Sequence, residues 1–472
     1  MKKNIRNKTI MEYTRNFRME KLKQFHFIGI GGIGMSGIAA LMAGLGYKIT
    51  GSDMSETEIT QSLAKAGIKV YKGHRKKLPK GTEAVVASSA IKEDNPEIAA
   101  AVQAGLPVIH RAYMLSRLAS LKKTVTVAGT HGKTTTTSMM AAAFEACGTG
   151  ATAVVGGILK NAGSNLQMGG GEYFIAEADE SDGSFLDFRP LVTCVTNIDA
   201  DHLDHYGNLN EIKAAFIKHI YSVPFFGIAA VCSDDPGVRG ILPYISGPVL
   251  KCGIGSGADW QARNIVYSEN GTEYQAWFKG RLKGTVRIQS PGEHNVRNSL
   301  LVLAAMHYLG FPFEKIAAGL ASFLGVKRRL DRLGSAGGAE FIDDYGHHPT
   351  EIKATLAAVR KMFPERRIVV LFQPHRYTRT RDLYDEFGKA FDNADKLFIA
   401  PVYSAGEKPI KGISSNLIIK AANRNGKQAR PFEGVLPMLK EISAGDIVIT
   451  LGAGDVWKIG MELKLKREML GA

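Results

Sequence analysis

The sequence predicts an α/β chain of three domains built around mainly parallel sheets. Three observations predict it. The length of 472 residues is too great for one core and enough for roughly three. Short β-rich apolar runs alternate with helical patterns in successive series. Glycine, at 52 residues or about 11%, exceeds the usual ~7%, as tight strand-to-helix turns require. The first series holds FHFIGI from Phe25, a helix over Ser36 to Gly46, YKITGSD, AVVASSAI and LPVIH. The second opens at Thr124 with TVTVAGT, continues in a helix over Lys133 to Ala146, and adds EYFIAEAD, LVTCVTNI and GIAAVCSDD. Between Ala262 and Ser290 the pattern changes to antiparallel hairpins with Asn270-Gly271 as a tight-turn signal, which predicts a β insertion in the middle domain. The third series is EFIDDY, RIVVLFQP, KLFIAP and DIVITLGAG. The domains are therefore drawn as 21–122, 123–325 and 326–472, behind a basic extension at 1–20 expected to be disordered.

Composition excludes several classes. Hydrophobic residues at 45% and charged residues at 22% match soluble globular chains, which argues against wholesale disorder. No apolar run approaches the roughly 18 residues of a spanning helix, so no membrane insertion is expected. Cys147, Cys194, Cys232 and Cys252 form neither a disulfide framework nor a metal-ligand spacing and read as buried, reduced thiols of a cytoplasmic protein. The net charge of +15 suggests nucleic acid until residues 1–23 are set apart, where eight Lys or Arg face two Glu. The remaining excess suits anionic small substrates, and no nucleic-acid partner is expected. That stretch lacks the apolar region of a secretory signal; a basic membrane-surface arm is the alternative to disorder.

VAGTHGKTTTT carries the strongest local chemistry. A strand runs into Gly129-Thr130-His131-Gly132-Lys133-Thr134-Thr135 and then a helix, an arrangement that turns N–H groups toward phosphates, adds a lysine charge and offers a hydroxyl to Mg²⁺. Two residues separate the glycines where four are usual, so an accidental glycine turn is the alternative. The following strand ends in Glu177, Asp179, Glu180 and Asp182, where a doubly wound sheet binds its ligands. TNIDADHLDHYG then places Asp199, Asp201, His202, Asp204 and His205 at an equivalent strand end. FIGIGGIGMSG provides Gly29, Gly31 and Gly34 in dinucleotide spacing, with Asp53 19 residues after Gly34, so the first domain reads as Rossmann-like. Glycines there let any nucleoside diphosphate approach a helix N-terminus, not only NAD. FIDDYGHHP and FQPHRYTRTRD follow later β runs, and their arginines suit carboxylates or phosphates through the guanidinium fork.

In order, GIGGIGMSGIA, SSAI, AGTHGKTTT, EADESD, NIDADHLD, GEHNVRNSL, DDYGHHP and QPHRYTRTRDL resemble the Mur ligases of bacterial cell-wall synthesis, from about Leu22 to the C-terminal helix. GIGGIGMSG and QPHRYTRT resemble the alanine-adding branch. The resemblance implies an N-terminal Rossmann-like UDP-binding domain, a central P-loop ATPase-like domain and a C-terminal Rossmann-like domain. It implies an ATP-dependent amide ligase, in which the lactyl carboxylate of UDP-N-acetylmuramate takes the γ-phosphoryl group and the amine of L-alanine attacks the acyl phosphate. Lys133 would sit on the β/γ-phosphates within a loop from Gly129 to Thr135; Thr134 and Glu177 would hold one Mg²⁺, and Glu177 and His202 a second, with Mn²⁺ as a substitute. Asn295 would read adenine, Asp344 the ribose and Arg329 a phosphate. Gly31, Gly32, Ile33, Gly34, Met35 and Ser36 would take the UDP pyrophosphate, with Asp53 and Ser88 in the same site. Tyr345, His347, His375, Arg376 and Arg379 would line the alanine site, His347 acting in catalysis. The partners would be these small molecules, on a monomer or homodimer. A nucleotide-dependent dehydrogenase and a P-loop binding protein without turnover are the alternatives.

Overall fold

The computed structural model describes residues 21–88 and 90–471, and the basic extension at 1–20 lies outside them. β1 (Gln24–Ile28) is buried at all five positions, as a parallel strand covered on both faces must be. With β2 (Lys48–Asp53), β3 (Lys69–Lys72), β4 (Ala84–Ala87) and β5 (Val108–His110) it forms a parallel sheet of order β3-β2-β1-β4-β5. The order reverses beside β1, so the glycine loop after β1 opens into the crevice where such sheets bind ligands. Helix α1 (Ile33–Gly44) begins three residues before the predicted Ser36. The reason is that the loop forms its first turn, Met35 and Ser36 N–H donating to the Gly32 carbonyl at 3.0 and 2.8 Å.

The central sheet comprises β6 (Lys123–Ala128), β7 (Thr152–Val154), β8 (Leu166–Gln167), β9 (Tyr173–Glu177), β10 (Val192–Val195), β11 (Ile228–Cys232), β12 (Val249–Gly253), β13 (Trp260–Ser268), β14 (Gly271–Phe278) and β15 (Arg281–Ile288). Their order is β15-β14-β13-β12-β11-β10-β6-β9-β7-β8, which sets β6 between β9 and β10. The predicted hairpins thus extend the central sheet from β12 rather than standing apart. Their first turn is Glu269-Asn270, one residue earlier than predicted. Gly271 instead opens β14 with φ 127°, and a Cβ there would lie 2.2 Å from the Ile288 carbonyl. Helix α2 (Lys133–Ala146) follows β6 over the predicted span. It tolerates four threonines because Thr136, Thr137 and Ser138 return their hydroxyls to carbonyls four residues back, at 2.9, 2.9 and 2.6 Å.

The last sheet has β16 (Asp331–Ala336) antiparallel to β17 (Ala339–Asp344), then β18 (Ile368–Phe372), β19 (Lys396–Ile399), β20 (Ala429–Pro431) and β21 (Ile447–Leu451), in the order β16-β17-β21-β18-β19-β20. β18, IVVLF, is wholly buried, and Phe372 packs 5.3 and 5.4 Å from the rings of Phe387 and Phe391. Each such buried phenylalanine contributes about 2–3 kcal/mol. Helix α3 (Pro349–Met362) follows β17 and α4 (Tyr377–Gly388) follows β18. Contacts divide the chain into two compact units: one runs to Gln261 and adds Ala276–Gly284 and Asn298–Leu320, the other holds Ala262–Gln275, Thr285–Arg297 and the chain from Ala321. No helix among the described residues is long and apolar enough to cross a membrane.

Candidate active site

In the first unit the loop between β6 and α2 is shaped by the strands beside it. Gly129 has φ 138°, and a Cβ on it would lie 2.0 Å from the Thr196 hydroxyl, so no other residue fits. Gly132, at φ 82°, turns the chain into α2. Asn197 Oδ1 accepts the His131 N–H at 2.8 Å, its carbonyl accepts the Thr130 N–H at 3.1 Å, and the Thr130 hydroxyl accepts the Asp199 N–H at 2.9 Å. His131 Nε2 is 3.4 Å from Asp199. Thr130 and His131 therefore brace the loop against the end of β10, while Lys133, Thr134 and Thr135 form the first turn of α2.

Lys133 Nζ donates to the Gly129 carbonyl at 2.7 Å, the Thr130 carbonyl at 3.3 Å and Glu180 Oε2 at 2.7 Å. Burial works against its charge, but Glu180, Asp179 and Glu177 outweigh it and hold the ammonium above its usual range. The Thr134 hydroxyl donates to Glu177 Oε2 at 3.3 Å, and Gly156 N–H donates to Oε1 at 2.6 Å. Burial pushes the Glu177 carboxyl up, against those donors and Lys133. His202 sits at φ 55°, its Nε2 3.9 Å from Glu180 Oε1 and 3.8 Å from Asp201. That Glu180 oxygen is buried without a hydrogen bond. Hard oxygens beside a lysine and an unsatisfied buried carboxylate oxygen near an imidazole are a donor set that fits a divalent cation. The Asp204 side chain lies outside the described ones.

The other glycine loop of this unit is pinned by the end of β2. The Ser52 carbonyl accepts the Gly29 and Ile30 N–H groups at 2.8 and 3.0 Å, and Asp53 Oδ2 accepts the Gly31 N–H at 2.9 Å. Asp53 thus shapes the loop itself. Met35 is buried in the core, so only its backbone is available to a ligand. Arg111 crosses Gly34, where a Cβ would lie 2.5 Å from Nη1, and Arg111 Nη2 is 3.7 Å from Asp179. Asn165 Nδ2 reaches the Ile33 carbonyl and, at 3.1 Å, the Ser36 hydroxyl. Ser88, half-buried just past β4, accepts the Ile91 N–H at its carbonyl at 3.0 Å.

In the second unit, Asp344 at the end of β17 is buried and accepts the Leu330 and Gly346 N–H groups at 2.8 and 2.7 Å. Burial pushes its carboxyl up to about 6 despite Arg329 and these donors. The guanidinium groups of Arg328 and Arg329 lie 5.0 and 5.1 Å from the Tyr345 ring centre, and Arg329 is 3.5 Å from Glu351. Tyr345, His347, His375 and Tyr403 form a run of rings with centres 5.4, 5.8 and 5.6 Å apart. Burial lowers His347 to about 4, with Glu351 pulling the other way. His375 falls to about 3 through burial and the neighbouring His347, Arg379 and Arg376. Both rings are neutral at pH 7. Asn295, in the first turn of the helix Glu293–Tyr308, is buried and donates its amide to the Pro291 carbonyl at 2.7 Å.

Three family models cover most of the chain: the Mur ligase family catalytic domain matches residues 24–123, the Mur ligase middle domain 127–306, and the Mur ligase glutamate ligase domain 328–454. The chain belongs to the Mur ligase family. This Mur ligase is similar to the UDP-N-acetylmuramate–L-alanine ligase of Endomicrobium trichonymphae, 47% identical over 443 residues that cover 94% of this chain and 98% of the relative. The enzyme of the same name from Desulfatibacillum aliphaticivorans is 47% identical over 445 residues, covering 93% and 98%. Among solved structures, the UDP-N-acetylmuramate-alanine ligase of Thermotoga maritima superposes with a TM-score of 0.81 at 29% identity, covering 95% of this chain and all of that one.

Several residues that the structure brings against the candidate residues carry little local sequence signal. Glu180 stood in the acidic run, but nothing in the run singled it out as the partner of Lys133. Arg111 and Asn165 carry no motif. Glu351, which accepts the His347 and His348 N–H groups at 3.0 and 3.3 Å, had a signal in the capping spacing of His348 to Glu351 at the start of α3.

Proposed function

We propose that this chain is an ATP-dependent ligase joining L-alanine to the lactyl carboxylate of UDP-N-acetylmuramate, with ADP and phosphate released, in cytoplasmic synthesis of peptidoglycan precursors. The observation that carries the reading is the presence, in one compact unit, of two glycine loops at the switch points of two sheets whose strands there run parallel, the second armed with Lys133, Thr134 and Glu177. A dehydrogenase has no use for the second loop. The names of the relatives supply the substrate class.

In this reading 21–122 binds the UDP-substrate, 123–325 the ATP phosphates and 326–472 the amino acid. Lys133 brings a fixed cation to the transferring phosphoryl group, where charge neutralisation and positioning carry most of the catalysis. Thr134 and Glu177 would hold Mg²⁺ or Mn²⁺, with His202 for a second ion; a bound ion would neutralise phosphate charge. Asn295, Arg329 and Asp344 would serve the nucleoside and its phosphates. The carboxylate oxygen of the substrate attacks the γ-phosphorus, ADP leaves, and alanine nitrogen then displaces phosphate from the acyl carbon. That nitrogen must first lose a proton. His347 is placed to orient that amine: its Nδ1 lies 3.1 Å from the Tyr345 carbonyl, which can only accept, so Nδ1 carries the hydrogen and Nε2 offers a lone pair to an amine N–H, while burial keeps the ring a weak base. Arg376 and Arg379 would grip the alanine carboxylate beside Tyr345 and His375.

Phosphate release from Mg-ATP that requires both UDP-N-acetylmuramate and L-alanine, with the amide product seen by mass spectrometry, is the expected result. NAD(H) binding, or nucleotide binding without turnover in the presence of both substrates, would overturn it.

A further inference from the structure

The amino-terminal turn of α4 is held by a loop that comes from after β19. Arg376 stands at the helix N-cap with φ 72°, a conformation that non-glycine residues rarely adopt, and its side chain makes no capping bond. Serine or aspartate would ordinarily cap this position, and a cation there opposes the helix dipole. The Arg376 N–H donates to the Tyr403 carbonyl at 2.8 Å, the Tyr403 N–H donates to the Pro374 carbonyl at 2.8 Å, and the His375 and Tyr403 rings stack within 10° of parallel. Ala405 and Gly406 then turn the chain back, with φ of 48° and 83°. Glu407 thereby meets the open helix end: the Tyr377 and Thr378 N–H groups donate to Oε2 at 2.7 and 3.1 Å, and the Thr378 hydroxyl donates to Oε1 at 2.6 Å.

A carboxylate 29 to 30 residues away thus does the work that the helix's own N-cap residue does not. Arg376 and Arg379 both sit on the turn it fixes, three residues apart and able to share one face. We propose that Glu407 is a positioning residue for amino-acid recognition, capping α4 so that Arg376 and Arg379 stand ready for the substrate carboxylate. The inference rests on the amino-acid site given under Proposed function. Both Glu407 oxygens are engaged within the protein, so it acts through geometry and not by contact with substrate.

Steady-state phosphate release by the full-length enzyme tests this. Glu407→Ala should raise KM for L-alanine about tenfold, the size of a lost cap, with kcat and the KM values for ATP and UDP-N-acetylmuramate changed less than about twofold. Glu407→Gln should restore KM for alanine, because one amide oxygen can accept both N–H groups and the amide nitrogen can donate to the Thr378 hydroxyl. An unchanged alanine KM in Glu407→Ala overturns the proposal, as does a Gln variant no better than Ala, which would assign the effect to charge. If Glu407→Ala fails to fold by circular dichroism, Thr378→Val removes one of the three contacts and must itself raise the alanine KM; no change overturns the proposal. Arg376→Ala separates the two readings. If it leaves the alanine KM unmoved, the amino-acid site is misplaced; if it raises KM and Glu407→Ala does not, only the positioning role falls.

Discussion

Lys133 and Glu180 meet 2.7 Å apart in a largely buried place, where the acidic neighbours hold the lysine charged while burial pushes the Glu180 carboxyl up to about 7 against the lysine's pull. Lys133→Ala should therefore abolish phosphate release and lower stability only modestly, by about 1–3 kcal/mol, because Glu180 loses a hydrogen-bond donor and takes up a proton at neutral pH. Adding Glu180→Gln should recover much of the melting temperature and none of the turnover. A Lys133→Ala enzyme that melts like its parent would show that the pair does not carry this energy. Asp344 is another carboxyl that the fold keeps protonated longer than an unfolded chain would. The unfolded group ionises near 4 and the folded one near 6, so between these values the folded state holds the extra proton and stability falls as pH rises. Two units of separation correspond to about 3 kcal/mol. Urea midpoints of parent and Asp344→Asn should diverge from pH 4 to pH 6 and run parallel above it; curves parallel throughout would contradict the assignment.

The two glycine loops belong to different sheets and should fail separately. Gly129→Ala forces a Cβ into the Thr196 hydroxyl at a left-handed backbone position, so calorimetry should find nucleotide binding lost and UDP-substrate binding kept. Gly34→Val meets only the end of the Arg111 side chain, which can swing away at small cost in stability. Its displacement should weaken UDP-substrate binding at least tenfold, a loss of about 1.4 kcal/mol, and leave nucleotide binding intact. Equal loss of both ligands in either variant, with unchanged circular dichroism, would mean the loops are wrongly divided. These elements were legible because β6, Gly129 to Gly132 and α2 are contiguous, and a strand-turn-helix pattern is written in neighbouring residues. The start of α1 and the hairpin at Glu269-Asn270 were displaced by up to three residues. At α1 the glycine loop itself supplies the first turn by bonding to the Gly32 carbonyl, and at the hairpin the Gly271 backbone packs against β15, which no local propensity encodes.

Across the whole molecule the thiols report on the packed sheets. Cys194, Cys232 and Cys252 are buried on adjacent strands of the central sheet, and burial raises Cys194 to about 12 and Cys252 well above a normal thiol. Native protein should expose one slowly reacting thiol, the half-buried Cys147, to an aromatic disulfide reagent, and all four cysteines should react in guanidinium. Fast reaction of more than one native thiol would contradict this packing. The sequence by itself determined the α/β class, the three successive βα series and the residues of both glycine loops, because apolar alternation and glycine spacing are properties of adjacent positions. It also determined the family, through motifs kept in order along the chain. Only the tertiary structure decided which strands lie side by side, that Glu180 and not Glu177 pairs with Lys133, that Asn165 reaches Ile33, and that Glu407 caps α4. Those choices depend on charge and shape meeting across 30 to 132 residues of chain, and the strand order creates them only once the sheets have formed.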